Sequence, residues 1–303
     1  MLDPLEPWSR VSLRRHNNKN IPGSPERAIS RSVIEDTNNN LWLMERIATK
    51  QVELRSAIAR NLKSLHDSGL DKILLYQVTD EEDHDYVADV MGFPWQLSPF
   101  YESDELPRPE FIHDAERGQA LAEFICSLRK CAKGKPLESY AEEFDLLEYA
   151  KKLVETISER EPKVFERLEP ICDRLFPEME KFQLLPVAFC HGDFHPLNVL
   201  WKGKIVGAVI DWEFSDMRPE IYDVANMVGC VAFEDPDAFD SGLILAFMES
   251  LKRDTDIAVE SFAMLPYFIP ALRFAWLSEW LRKKDWEMLS MELDFMELLL
   301  ERT

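Results

Sequence analysis

Three side chains with oxygen donors, Asp193, Asn198 and Asp211, lie within the run Cys190 to Trp212, and hard divalent cations such as Mg²⁺ are held by such oxygens together with phosphate and water. Val199-Leu200-Trp201 and Ile205 to Ile210 are β-branched and apolar runs separated by Lys202-Gly203-Lys204, the pattern of a tight hairpin between two short strands. The residue before the first strand and the residue after the second share the open end of such a hairpin. Asn198 and Asp211 are therefore expected as neighbours although thirteen positions apart, with Asp193 in the loop on the same side. A second reading takes His191, Asp193 and His195 as an alternating metal cluster of a hydrolase. No further His or Cys cluster accompanies it, since His16, His66, His84 and His113 are scattered, so His195 is read as a loop or pocket-wall residue.

The five-residue step from Asp193 to Asn198, followed by a later Asp after a strand, has the spacing of the protein-kinase catalytic loop. His-Gly-Asp stands in place of His-Arg-Asp, and Asp-Trp-Glu in place of Asp-Phe-Gly. The run His191-Gly192-Asp193-Phe194-His195-Pro196-Leu197-Asn198 with Ile210-Asp211-Trp212 resembles the aminoglycoside phosphotransferase and choline kinase group of small-molecule kinases. The resemblance implies a two-lobed, protein-kinase-like α+β fold. Residues 1–101 would form a small nucleotide-binding lobe, an antiparallel five-stranded sheet plus one helix with the connector; residues 102–303 would form a larger, mainly helical catalytic and substrate-binding lobe. It also implies transfer of the γ-phosphoryl group of ATP, or of GTP, to a hydroxyl of an aminoglycoside-, choline- or homoserine-like molecule, with Mg²⁺. Asp193 would orient the acceptor and take its proton, His191 would brace the loop, Asn198 and Asp211 would hold the metal, and Asp223 would buttress the loop backbone.

The elements that must position these groups follow from the same chain. Trp8 to Arg15, Ala28 to Glu35 and Leu41 to Ile47 read as strands, the last two joined by a turn at Thr37-Asn38-Asn39-Asn40. The segment His16 to Arg27 would lie over the phosphates and offer Ser24, although Gly23 is its single glycine and it has no Gly-x-Gly-x-x-Gly pattern. At the third strand the resemblance calls for a phosphate-binding lysine. Its position falls on Met44, so Arg46 is taken as the substitute, with Lys50 behind it. Thr49 to His66 has the periodicity of a helix ending at Ser68-Gly69, and its Glu53 would pair with the phosphate-binding cation. Between Lys72 to Val78 and Tyr86 to Gly92 the acidic run Glu81 to Asp85 reads as a surface hairpin turn, with these two segments as its strands. Phe93 to Tyr101 is expected as the connector, with Gln96, Leu97 and Ser98 facing the base, and Leu106 to Pro109 as the flexible join.

From Asp114 onward the pattern is helical: Asp114 to Lys133, Phe144 to Ile157, Pro162 to Leu175, a helix from Pro219 that carries Asp223, then Asp237 to Lys252, Ser261 to Leu281 and Trp286 to Leu300. Leu184 to Phe189 is expected as a short buried strand. Trp276, Glu279 and Trp280 at helical spacing are candidates for an ammonium-binding pocket, and His195 and Glu213 are further candidates on the acceptor side.

Composition bounds the function. The 303 residues are 46% apolar, an ordinary globular fraction, and 35 basic against 56 acidic residues give a net charge of −21, which disfavours nucleic acid and anionic membrane as partners. Five cysteines without a Cys-x-x-Cys pattern suggest reduced thiols and a cytoplasmic protein. The N-terminus lacks the basic flank and apolar core of a signal peptide, and the apolar stretch Phe262 to Leu277 is broken by Pro266, Pro270 and Arg273. The missing lysine and glycine-poor loop also fit a nucleotide-binding pseudokinase without turnover.

Overall fold

Side chains alternate across strand β3 (Leu41–Arg46). Trp42 and Met44 enter an apolar cluster with Leu5, Trp8, Ile34, Ala88 and Leu97, whereas Leu43 and Glu45 take the opposite face. The computed structural model describes residues 3–16, 19, 21, 28–79, 85–139 and 145–302. Ser24 and Gly23 lie outside these residues, as does most of the acidic turn. Contacts divide the chain into two units, one of Met1–Leu106, Ser127–Tyr140 and Leu197–Ser215, the other of Pro107–Cys126, Ala141–Pro196 and Asp216–Thr303.

The first unit holds the five-stranded antiparallel sheet. Strands β1 (Ser12–His16), β2 (Ser30–Asp36), β3, β4 (Ala88–Val90) and β5 (Phe93–Pro99) lie in the order β1-β2-β3-β5-β4. Asp36 fixes the β2–β3 turn: its carboxylate accepts from the backbone N–H groups of Asn38 at 2.8 Å and Asn40 at 2.9 Å, and from Trp42 Nε1 at 2.9 Å. Two expectations are corrected. Trp8 belongs to a 3-10 turn, Glu6–Trp8, and not to β1. Lys72 to Val78 forms no strand, because its hydrogen bonds go to different neighbours: Lys72 O accepts from Val209 N at 2.9 Å, whereas Gln77 N donates to Leu97 O at 2.7 Å. The stretch read as connector supplies β5 instead.

Helix α1 (Val52–Asp67) follows a 3-10 turn at Thr49–Gln51 and ends where Gly69 takes φ +104°. The helix-terminal segment 127–140 docks on it, with Glu138 accepting from Arg60 Nε at 2.6 Å and its backbone N–H donating to Asn61 Oδ1 at 2.8 Å. The hairpin of the sequence reading is present in the same unit.

The second unit holds helices α2 (Ala115–Ala132, whose last turns fall in the first unit), α3 (Leu146–Arg160), α4 (Pro162–Met179), α5 (Tyr222–Glu234), α6 (Gly242–Asp254), α7 (Val259–Ala263), α8 (Leu265–Lys283) and α9 (Trp286–Glu301) together with a two-stranded ribbon. That ribbon pairs β6 (Val187–Cys190) with a strand at Asp216–Pro219. Leu184 is exposed in a 3-10 turn and Val187 is exposed at the start of β6, so only Phe189 of the expected strand is buried. The expected helix Ser261 to Leu281 is interrupted at Met264. Pro266 stands in the first turn of α8, where its missing N–H breaks no intrahelical bond, and α7 ends before it. Gly118 of α2 lies so close to α6 that a Cβ would sit 2.2 Å from Leu243 O. No described helix is long and apolar enough to cross a membrane.

Candidate active site

Strands β7 (Val199–Lys202) and β8 (Ile205–Val209) pair antiparallel, with Val199 opposite Val209, about a turn in which Gly203 takes φ +57°. The strand at Asp216–Pro219 described above is β9. At the open end of the hairpin Ile210 N donates to Asn198 O at 3.0 Å, which ties Asn198 to the residue before Asp211. Asp211 itself is in the left-handed region (φ 69°, ψ 57°), uncommon for a residue other than glycine, and this turns the chain sharply between β8 and the 3-10 turn Trp212–Phe214. Gly207 lets Tyr101 approach: a Cβ there would stand 2.1 Å from Tyr101 Oη. The donor chemistry fits magnesium, since one amide oxygen and one carboxylate leave the remaining positions to water and phosphate.

The loop preceding the hairpin is braced within the second unit. Asp223, at the start of α5 and 3% exposed, accepts from His191 N at 2.7 Å with one oxygen and from Gly192 N at 2.8 Å with the other. Burial pushes its carboxyl up to about 6 against the pull of these two N–H groups. Asp193 N donates to His191 Nδ1 at 3.2 Å, which makes Nε2 the protonated nitrogen of a neutral ring, and His191 is fully buried. Phe194 stacks on Phe124 at 5.4 Å, and its carbonyl accepts from Asn226 Nδ2 at 3.3 Å. His195 Nε2 lies 3.6 Å from Asp193 Oδ1. The hydrolase reading fails on this geometry. One ring nitrogen of His191 is taken by the backbone, and among the described residues no three His, Cys, Asp or Glu side chains converge to hold a metal.

In the first unit, a pocket of about 620 Å³, open to solvent, is lined by Asp211 and Ile210 after the hairpin, Leu43 and Glu45 of β3, Arg31 of β2 and Arg55 of α1. The phosphate clamp expected from Arg46 and Glu53 is not assembled. Arg46 continues the face of Trp42 and Met44, away from the pocket, and lies over the Phe93 ring at 3.6 Å. Glu53 is exposed, because it stands two residues, roughly 200° of helix, from inward-facing Arg55. Arg55 donates from Nη1 to Glu213 at 2.5 Å and to Tyr76 Oη at 3.3 Å. Burial opposes its charge, and Tyr76, Glu213, Glu45 and Asp211 around it outweigh burial and hold the guanidinium above its ordinary range. Glu213 is thus an internal ion-pair partner. Of the connector residues, Ser98 faces the pocket, Leu97 is in the opposite core with its carbonyl on Gln77, and Gln96 Nε2 reaches Arg55 O at 3.4 Å. The lining continues through Pro99, Phe100 and Tyr101, later than the sequence placed it.

Residues 45–256 match the APH phosphotransferase enzyme family. The chain belongs to that family. It is 30% identical over 179 residues to a homoserine kinase of Beijerinckia indica subsp. indica, a match covering 56% of this chain and 54% of the relative, so the chain spans about half the length of the curated relatives it matches. Among solved structures, an aminoglycoside phosphotransferase from Alicyclobacillus acidocaldarius superposes with a TM-score of 0.66 at 14% identity, covering 96% of this chain and 91% of that one. Amicoumacin kinase hAmiN in complex with AMP-PNP, Ca²⁺ and Ami superposes with a TM-score of 0.64 at 13% identity, covering 93% and 90%. At these identities the structures establish the fold of the family member, a two-lobed, protein-kinase-like α+β architecture.

The acceptor-side candidates divide. Trp276 and Trp280 stack at 6.0 Å, but their aromatic faces already receive the chain's own cations, Arg273 at 5.6 Å from Trp276 and Lys283 at 5.3 Å from Trp280. Glu279 pairs with Arg282 at 2.7 Å and Lys283 at 2.9 Å, which hold its carboxyl down at about 2. The ammonium pocket read from their spacing is therefore filled from within. Sequence reasoning missed Arg31, Glu45 and Arg55. Counting alternation outward from Trp42 and Met44 would have turned Glu45 to the pocket, and Arg55 lies three and seven residues before Ile58 and Leu62, on their face.

Proposed function

We propose that this family member is an ATP- and Mg²⁺-dependent phosphotransferase that moves the γ-phosphoryl group to a hydroxyl of a small molecule, with a homoserine-like acceptor favoured by its curated relatives. The observation that supports the reading is the β7–β8 hairpin, at whose open end Ile210 N donates to Asn198 O and the next residue, Asp211, takes a left-handed conformation. Asn198 and Asp211 are assigned to Mg²⁺, which when bound neutralises phosphate charge. Asp193 is assigned to the acceptor: its carboxylate orients the hydroxyl and takes the proton as the new O–P bond forms and the bond from the γ-phosphorus to the bridging oxygen breaks, leaving ADP. Asp223 and His191 keep that loop in shape through the backbone bonds to His191 and Gly192 and through the ring nitrogen on Asp193 N. Nucleotide binding is assigned to residues 1–101 with the hairpin, and acceptor binding to the remainder of 102–303.

The test is an ATP-consumption screen over hydroxyl compounds that includes homoserine, choline and aminoglycosides. Asp193→Asn is expected to lower turnover by at least about a thousandfold with nucleotide affinity retained, and Asp211→Ala to abolish Mg²⁺-dependent nucleotide binding. Full turnover by Asp193→Asn overturns the assignment. Glu45, standing on the pocket face of β3, favours one second reading, a nucleotide-binding protein without turnover. ATP-dependent thermal stabilisation with no acceptor phosphorylated would distinguish it.

A further inference from the structure

Building on the nucleotide-binding reading above, we infer that the phosphates are received by Arg31 of β2, held by Glu45 of β3 and backed by Arg55 of α1, in a clamp whose charges are reversed relative to the lysine-on-β3, glutamate-on-helix order expected of the fold. The inference starts from strand phase. Leu43 and Glu45 share the pocket face of β3, so the pocket position two residues after Leu43 carries a carboxylate, and Arg46 beside it is turned to the other side of the sheet over Phe93. A carboxylate there repels phosphate unless cations cover it.

Two cations do so. Arg31 stands directly opposite Glu45 in the β2–β3 register and donates from Nε to Glu45 Oε1 at 2.8 Å. Arg55 enters from α1, where an acidic partner for a β3 lysine was expected, and is fixed by Glu213 across 158 positions of sequence. Both guanidinium-bearing residues line the same pocket as Asp211.

Their burial separates their tasks. The Arg55 side chain is 3% exposed and bound by Glu213 and Tyr76, which suits a charge that stabilises the carboxylates around it. The Arg31 side chain is 11% exposed. Its bond to Glu45 uses the Nε donor and sets the plane of the guanidinium, whose terminal nitrogens form a planar fork matched to two phosphate oxygens. Glu45 is then the orienting group for the cation, the part played by a helix glutamate in the expected order. Arg31 contacts the nucleotide through phosphate alone, so its contribution vanishes for a nucleoside.

The experiment measures binding of AMP-PNP and adenosine, and in parallel GMP-PNP and guanosine, to the full chain with Mg²⁺ by titration calorimetry, with a melting curve for each variant. Arg31→Met is expected to weaken the better-bound triphosphate analogue by at least about tenfold and its nucleoside by less than about twofold, and Arg31→Lys to lie between. Arg46→Met is expected to match the wild type. Should Arg31→Met fail to melt cooperatively, Arg31→Lys, which keeps a cation beside Glu45, is the deciding variant, with a loss of about threefold or more in the triphosphate only. Unchanged triphosphate affinity in Arg31→Met and Arg31→Lys, or a tenfold loss in Arg46→Met, overturns the reversed clamp while leaving nucleotide binding intact. A wild-type chain that binds neither triphosphate analogue overturns the nucleotide reading and the clamp with it.

Discussion

Asp223 is a carboxylate in a place that disfavours its charge, and the backbone N–H groups of His191 and Gly192 in the loop before the hairpin are what it gains in return. Its carboxyl is raised from 3.8 in the open chain to about 6 in the folded one, so the folded protein takes up a proton that the unfolded protein has already released. The stability linked to this group is therefore fully present below 3.8 and is lost as pH rises through about 6. The loop responds in the opposite sense, because a protonated carboxyl places a hydroxyl where one of the two N–H groups needs an acceptor. Amide exchange at His191 and Gly192, corrected for intrinsic rates, is expected to be less protected at about pH 5 than at about pH 7.5. Equal protection at the two pH values would show that Asp223 does not hold the loop through its charge.

At the scale of elements, α8 and α9 are joined by a buried bidentate pair. Arg273 Nε and Nη2 donate to Glu292 at 2.5 and 2.9 Å, Trp280 Nε1 adds a bond at 3.2 Å, and Phe233 and Phe295 enclose the guanidinium at 4.7 and 5.5 Å. Removing one member leaves the other charged in an apolar interior. Arg273→Leu is expected to lose about 3–5 kcal/mol in urea unfolding, and Arg273→Leu with Glu292→Leu to recover most of that loss, less about 1–3 kcal/mol for the Trp280 N–H left without its acceptor. A neutral Arg273→Leu would mean that the pair contributes nothing to holding the helices. The same element shows a limit of spacing arguments: Trp276, Glu279 and Trp280 fall at helical intervals whether a foreign cation or Arg273 and Lys283 occupy their faces.

The whole molecule carries a net charge of −21. Local ion pairs such as Lys63–Asp67 at 2.5 Å and Arg167–Asp294 at 2.7 Å weaken as salt is added, but 56 acidic groups cannot all be matched by 35 basic ones, and the unmatched remainder repels. Screening of that repulsion is expected to dominate. The melting temperature should rise by several degrees between about 0.02 and about 0.5 M sodium chloride in scanning calorimetry, whereas a fall would assign the balance to the surface pairs.

What the sequence determined by itself was whatever is written in short-range period and spacing. The apolar, β-branched runs Val199 to Trp201 and Ile205 to Ile210 on either side of Lys202-Gly203-Lys204 signalled the hairpin, and a hairpin brings the residues flanking its strands, Asn198 and Asp211, to its open end. Helices α1, α2 and α9 followed from apolar repeats of three and four, and the spacing of Asp193, Asn198 and Asp211 led to the family that residues 45–256 match. The tertiary structure alone decided which face of each element looks into the pocket and which buried charges meet. Alternation puts Glu45 opposite Trp42, Met44 and Arg46, but a strand pattern is unchanged by rotating it half a turn, and the packing of Trp42 and Met44 with Leu97 is what made their face the core and left Glu45 on the pocket side. Likewise Arg55 and Glu213 share no local signal across 158 positions, and their pairing exists because folding places α1 against the turn after Asp211.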